Sequence, residues 1–139
     1  MRDAIVRNLE QRMHCYSELV TDLDKAVLGV SLDVPKSKTI KDHLWCIVGA
    51  RESYAKAIEA GEWCGFSCSM GSYERDDFAV ALAGSAQAVL GVIARVTDWT
   101  PARDDLLALL SEHEVMHEGQ IIRHMYALRR TLPSSWRWA

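Results

Sequence analysis

The sequence predicts an all-α four-helix bundle. Three observations carry this: apolar residues recur at alternating spacings of three and four, turn-forming segments break that pattern at three places, and no segment alternates with the period of a strand. With 139 residues the chain is long enough for one domain with a sizeable core and too short to expect two, so residues 1–139 are taken as a single bundle domain.

The first stretch carries Val6, Leu9, Met13, Tyr16, Val20, Leu23 and Val27 on one stripe, which predicts an amphipathic helix. After a break from Gly29 to Pro35, Thr39 with Asp42 three residues later resembles a capping pair. Ile40, Leu44, Ile47, Tyr54 and Ile58 continue that second helix to about Ala60. The third runs from near Glu74 to Val96 on Phe78, Leu82, Val89, Ile93 and Val96, and its many alanines and glycines should let a neighbouring helix approach closely. Thr100-Pro101 is a good start for the fourth, a hydroxyl cap followed by proline at the first helical position. That helix is expected to reach about Arg130, with Pro133 closing it. The connection from Gly61 to Ser72, about 12 residues, could span roughly 40 Å when extended. Helices two and three can therefore run parallel, in an up-down-down-up order with a long crossover.

A net charge of -3 and a pI near 5.9 provide no field to gather nucleic acid or an anionic membrane, so a small molecule or a protein is the expected partner. The opening residues are charged and form no apolar signal-like run, no segment is expected to span a membrane, and Cys15, Cys46, Cys64 and Cys68 read as reduced thiols. The expectation is a cytoplasmic protein. Cys64 and Cys68, a C-x3-C in the crossover, lack the second pair of a zinc motif and read as loop cysteines.

Chemistry enters on the fourth helix. Its stripe Leu106, Leu110, His113, His117, Gln120, His124 turns polar in mid-helix, and burying such a row without partners is costly. His113 and His117, four residues apart, share one helix face as a metal chelate does. A catalytic zinc or nickel needs a third protein group and an open position, and the available donors are His43 and Cys46 on the second helix. At about 1.5 Å per residue Cys46 comes level with the midpoint of the two histidines and His43 about 5 Å above it. Either residue can be the third ligand. Glu114 and Gln120 are the nearest candidates for orienting a ligand or moving a proton. His14, beside Glu10, Ser17 and Glu18, reads as a rim residue, and His124 lies too far along the helix to join the same metal.

His113-x3-His117-Glu118-Gly119-Gln120-Ile121, with a donor early in the second helix, resembles the DinB-like metal-binding four-helix bundles. Cys46-Ile47-Val48-Gly49-Ala50-Arg51-Glu52-Ser53-Tyr54 is similar to that family's second-helix motif, and the tail Pro133-Ser134-Ser135-Trp136-Arg137-Trp138 resembles one branch of it. The resemblance implies an up-down-down-up bundle, often a homodimer, with a three-histidine site for zinc or nickel. It also implies transferase or isomerase activity dependent on a low-molecular-weight thiol such as bacillithiol or mycothiol. The chain departs from that pattern at Cys46, where the family's histidine would most naturally align, with His43 one turn earlier.

On this reading the bound metal activates a thiol to attack an electrophilic carbon of a small-molecule substrate, or activates water to give a hydrolase from the same ligands. A non-catalytic ligand-binding or dimeric bundle, its metal site degenerate through Cys46, is the alternative from another class. His113-Glu114-Val115-Met116-His117 also satisfies the H-E-x-x-H of a zinc protease, with Glu114 as base. Against the protease stand Arg123, where a metzincin has its third histidine, and the lack of a strand to hold a peptide.

Overall fold

The structure, a computed structural model, describes residues 1–139. Helices occupy Arg2–Asp22 (α1), Lys25–Leu28 (α2), Ile40–Ala60 (α3), Arg75–Arg95 (α4) and Pro101–Ala127 (α5), and there is no strand. The four long helices are the four expected stretches.

α1 buries Leu9, Met13, Tyr16, Leu19 and Val20, as its spacing requires. The last two members of the expected stripe lie beyond it. Leu23 is extended, and Asp24 caps the one-turn α2 by accepting a hydrogen bond from the Ala26 N–H. Leu23 and Val27 are buried all the same, because the chain resumes its helical phase after the break.

α3 opens on a complete capping box. The Thr39 hydroxyl accepts from the Asp42 N–H while the Asp42 carboxylate accepts from the Thr39 N–H. It closes at Gly61, whose φ of 85° is a left-handed conformation that suits glycine. α5 starts at Pro101 with the Thr100 hydroxyl accepting from the Arg103 N–H, and stops at Ala127, short of Arg130, where Arg129 turns left-handed with φ 54°.

The long helices neighbour one another in the cyclic order α1, α4, α3, α5. Polar contacts record which ends meet. Arg2 pairs with Asp104, joining the first turns of α1 and α5. Arg103 donates to the carbonyls of Ile58 and Glu59, tying the start of α5 to the end of α3. Arg95 pairs with Glu59 at the ends of α4 and α3, and Arg75 donates to the Leu23 carbonyl beside the end of α1.

Apolar side chains fill the interior in two clusters. One is built around Tyr16, Leu44, Ile47, Phe78, Leu82 and Ile121, the other around Leu9, Met13, Ile58, Val89, Leu107 and Leu110. Trp136 joins the first from the tail, edge-on to Tyr16 at 5.3 Å between ring centroids, with its indole N–H donating to the Cys15 carbonyl. The crossover lies on α3 at Gly49, where an added Cβ would stand 2.4 Å from the Phe66 ring.

α4 corrects one expectation. Its 21 residues reach a mean hydropathy of 1.6 over 18 residues, so by length and composition this helix is long and apolar enough to cross a membrane. In the bundle it buries Phe78, Leu82, Ser85, Val89 and Val92 against α1 and α3. The close helix approach expected of its glycines is absent at Gly84, which has nothing within 4 Å of a Cβ position.

Candidate metal centre

One turn of α3 faces two turns of α5. Because those helices meet end to start, residues early in α3 lie opposite residues late in α5. Cys46 Sγ is 3.5 Å from His113 Nε2, and His43 Nδ1 is 3.0 Å from His117 Nδ1. The two histidine rings of α5 stand 4.5 Å apart between centroids, as residues four apart on a helix should.

Cys46, His113 and His117 each offer a ligand atom within 4.8 Å of the other two, close enough to share one metal ion. The donor set fits such an ion. Sulfur about 2.3 Å and nitrogen about 2.0–2.1 Å from a tetrahedral zinc stand about 3.5 Å apart, which is the separation of Cys46 Sγ and His113 Nε2. His117 Nε2 is a buried polar atom with no hydrogen-bond partner in the protein, as are His113 Nδ1, His124 Nε2 and, away from the cluster, Arg12 Nε and Ser135 Oγ. His43 stands outside this group of three, against His117.

Burial sets the protonation of the site. It lowers His117 to about 3, helped by the neighbouring His113 and His43, and lowers His43 to about 4, helped by His124 and Lys38. His113 is lowered for the same first reason, partly offset by the Glu114 charge. All three imidazoles are therefore neutral at pH 7, with lone pairs available. Burial raises the Cys46 thiol, with Lys38 acting the other way, so this sulfur keeps its proton until a metal displaces it.

The remaining candidates separate. Gln120 is exposed and lines a cleft of about 750 Å³ together with His43, Cys46, His117, Gly119 and His124. Glu114 turns away into the core. It is 0% exposed, and its two carboxylate oxygens accept from Nε and Nη2 of Arg51, also 0% exposed, at 2.7 and 2.9 Å. Arg51 further donates to the Leu82 carbonyl, and the Tyr16 hydroxyl donates to the Glu114 carbonyl. Cys64 is exposed and Cys68 packs on α3 near Trp45, neither in the cluster. His14 pairs with Glu18 on the surface. His124 is buried on the cleft wall and is not among the three clustered residues.

Sequence reasoning missed two parts of this neighbourhood. Arg51 falls four residues after Ile47 and three before Tyr54, on the buried stripe of α3, and that placement was its signal. The segment between α2 and α3 supplies Leu32, Val34, Lys36 and Lys38 to the cleft, and an irregular loop carries no periodicity from which its course can be read.

No family model matches the chain, and no curated protein matches it. The resemblance to the DinB-like bundles rests on the residues themselves.

Proposed function

We propose that the chain is a divalent-metal-dependent enzyme of the DinB-like kind, acting on a small molecule. The observation that carries this reading is the convergence of Cys46, His113 and His117 beside a cleft of about 750 Å³, a volume suited to a small organic ligand.

Two imidazoles and a thiolate suit zinc or nickel. When bound, such a metal supplies Lewis acidity that brings a coordinated thiol or water into the range where it ionises near neutral pH. Cys46, His113 and His117 would hold it, and His43 would orient His117. If the His117 Nδ1–H donates to His43 Nδ1, the unpartnered Nε2 of His117 is left as the lone pair for the metal. Gln120, on the cleft wall, can hydrogen-bond a substrate through its amide. Transfer of a low-molecular-weight thiol to an electrophilic carbon is the leading reaction and hydrolysis the second. Glu114 is committed to Arg51 and has no part in either, and the same pairing removes support from the protease reading.

The helix-end contacts support an up-down-down-up order, since α1 and α5 share their first turns while α3 and α4 share their last. Exposed Val80 and the open Gly84 on α4 suit a homodimer contact. Four free thiols agree with a reducing, cytoplasmic setting.

The test is metal content by elemental analysis of protein purified without an affinity tag, beside His113→Ala, Cys46→Ser and His43→Ala. Near-stoichiometric metal, lost in the first two variants, supports the reading and justifies thiol-transfer assays. Native protein that neither holds metal nor takes up zinc or nickel overturns it, leaving a bundle for binding or assembly.

A further inference from the structure

We propose that the cleft beside the metal centre admits its small-molecule substrate by an anionic group, a carboxylate or a phosphate, gripped by Lys36, Lys38 and Arg123. Anion capture itself stands apart from the enzyme reading, on which only the chemistry after binding depends.

The chain has 19 acidic residues against 16 basic ones and a net charge of -3, yet the 14 residues lining this cleft include three cations and no carboxylate. Lys36, Lys38 and Arg123 are exposed, and none has an ion-pair partner among the protein's carboxylates. Their charge is therefore available to a ligand. His124, 2% exposed, lines the same cleft, and its Nε2 has no partner.

Backbone geometry adds an independent sign. The Ser37 N–H donates to the Val34 carbonyl across a turn with Pro35 second and Lys36 third, and Lys36 has φ 62°. Proline fixes the second residue at negative φ, so this is a type II turn, whose third position ordinarily belongs to glycine. Placing a long cation there strains the backbone, and strain of this kind gathers at ligand-binding sites.

Calorimetric titration of the metal-free protein tests the proposal, with succinate and inorganic phosphate as probes and uncharged succinamide as control. Lys36→Gly, Lys38→Met and Arg123→Met are compared with Arg7→Met, which removes an exposed cation outside the cleft. The expected result is that at least one anion binds and the amide does not. Each cleft substitution should weaken binding about three- to tenfold, as loss of a charge-assisted contact does, and Arg7→Met less than twofold. Lys36→Gly should weaken binding while raising the thermal midpoint, because glycine relieves the turn. No binding by either anion, or equal weakening by Arg7→Met, overturns the proposal. Binding confined to zinc-loaded protein and indifferent to the cleft substitutions also overturns it, placing the anion on the metal and leaving the enzyme reading intact. Anion binding with the expected variant pattern in a protein that takes up neither zinc nor nickel upholds the cleft and overturns the enzyme reading instead.

Discussion

The Nδ1 atoms of His43 and His117 stand 3.0 Å apart across the α3–α5 interface, a separation that accommodates one hydrogen bond between two neutral rings. Whichever ring donates from Nδ1 keeps a bare Nε2, and for His117 that atom is buried without a partner. His43 thus acts on the tautomer of its neighbour, while Cys46 meets His113 directly. In a competition with a chelator, His43→Ala should weaken metal binding about 10–100-fold, the usual cost of losing a group that orients a ligating histidine. Cys46→Ser and His113→Ala should lose the metal at chelator concentrations the native protein withstands. Cobalt-loaded protein separates the roles, since a thiolate charge-transfer band should persist in His43→Ala and vanish in Cys46→Ser. A band unaffected by Cys46→Ser would remove the sulfur from the centre.

Arg51 and Glu114 form a fully buried bidentate pair. Removing one partner leaves a charge in a low-dielectric interior. Arg51→Met or Glu114→Leu alone should therefore cost about 3–5 kcal/mol in urea unfolding, and the double substitution should recover most of it. Additive losses in the double variant would show that the two do not act as a pair.

Two glycines make opposite predictions. A Cβ on Gly49 would meet Phe66 at 2.4 Å and Cys68 at 2.9 Å, so Gly49→Ala should destabilise by about 1–3 kcal/mol through overpacking. Phe66→Ala in the same chain should relieve part of that loss. Gly119 has nothing within 4 Å, and Gly119→Ala should stabilise α5 by about 0.5–1 kcal/mol. Equilibrium unfolding of the two single variants checks both signs.

Tyr16 supplies the pH dependence. Burial first, and the Glu114 charge second, push its hydroxyl well above the ordinary value of about 10. A folded pKa raised in this way means that the unfolded chain loses the proton first. Its contribution to stability is then intact below about pH 10 and declines as pH rises beyond that. Of the four tyrosines, Tyr16 should form tyrosinate only as the protein unfolds in alkali. In Tyr16→Phe the tyrosinate absorbance step that accompanies unfolding should shrink by one residue's worth; an unchanged step would mean that Tyr16 ionises in the folded protein.

The long helices were legible because their starts are chemically marked, by Thr39 with Asp42 and by Thr100 with Pro101, and because burial follows a three-and-four spacing. The break at Leu23–Asp24 escaped notice since α2 returns to the same face, and only Asp24, a capping residue inside the stripe, hinted at it. On α5 the expected stripe ran through Gln120, whereas the buried face turns toward Glu114, Glu118 and Ile121. Two acidic residues inside a core are unreadable without their partners, here Arg51 and Arg12, which lie 63 and 106 residues away in the chain. For the centre, spacing alone exposed His113 and His117. The choice between His43 and Cys46 depended on helix register to within a turn, finer than boundaries read from sequence allow.

Cys46 lies on α3 and both of its imidazole partners on α5, with the whole of α4 between them. Chains are made from the amino terminus, so the thiol is produced well before the histidines that would share a metal with it. A centre of these three residues is complete only once the last helix has docked, so a metal held there would enter after α5 is in place.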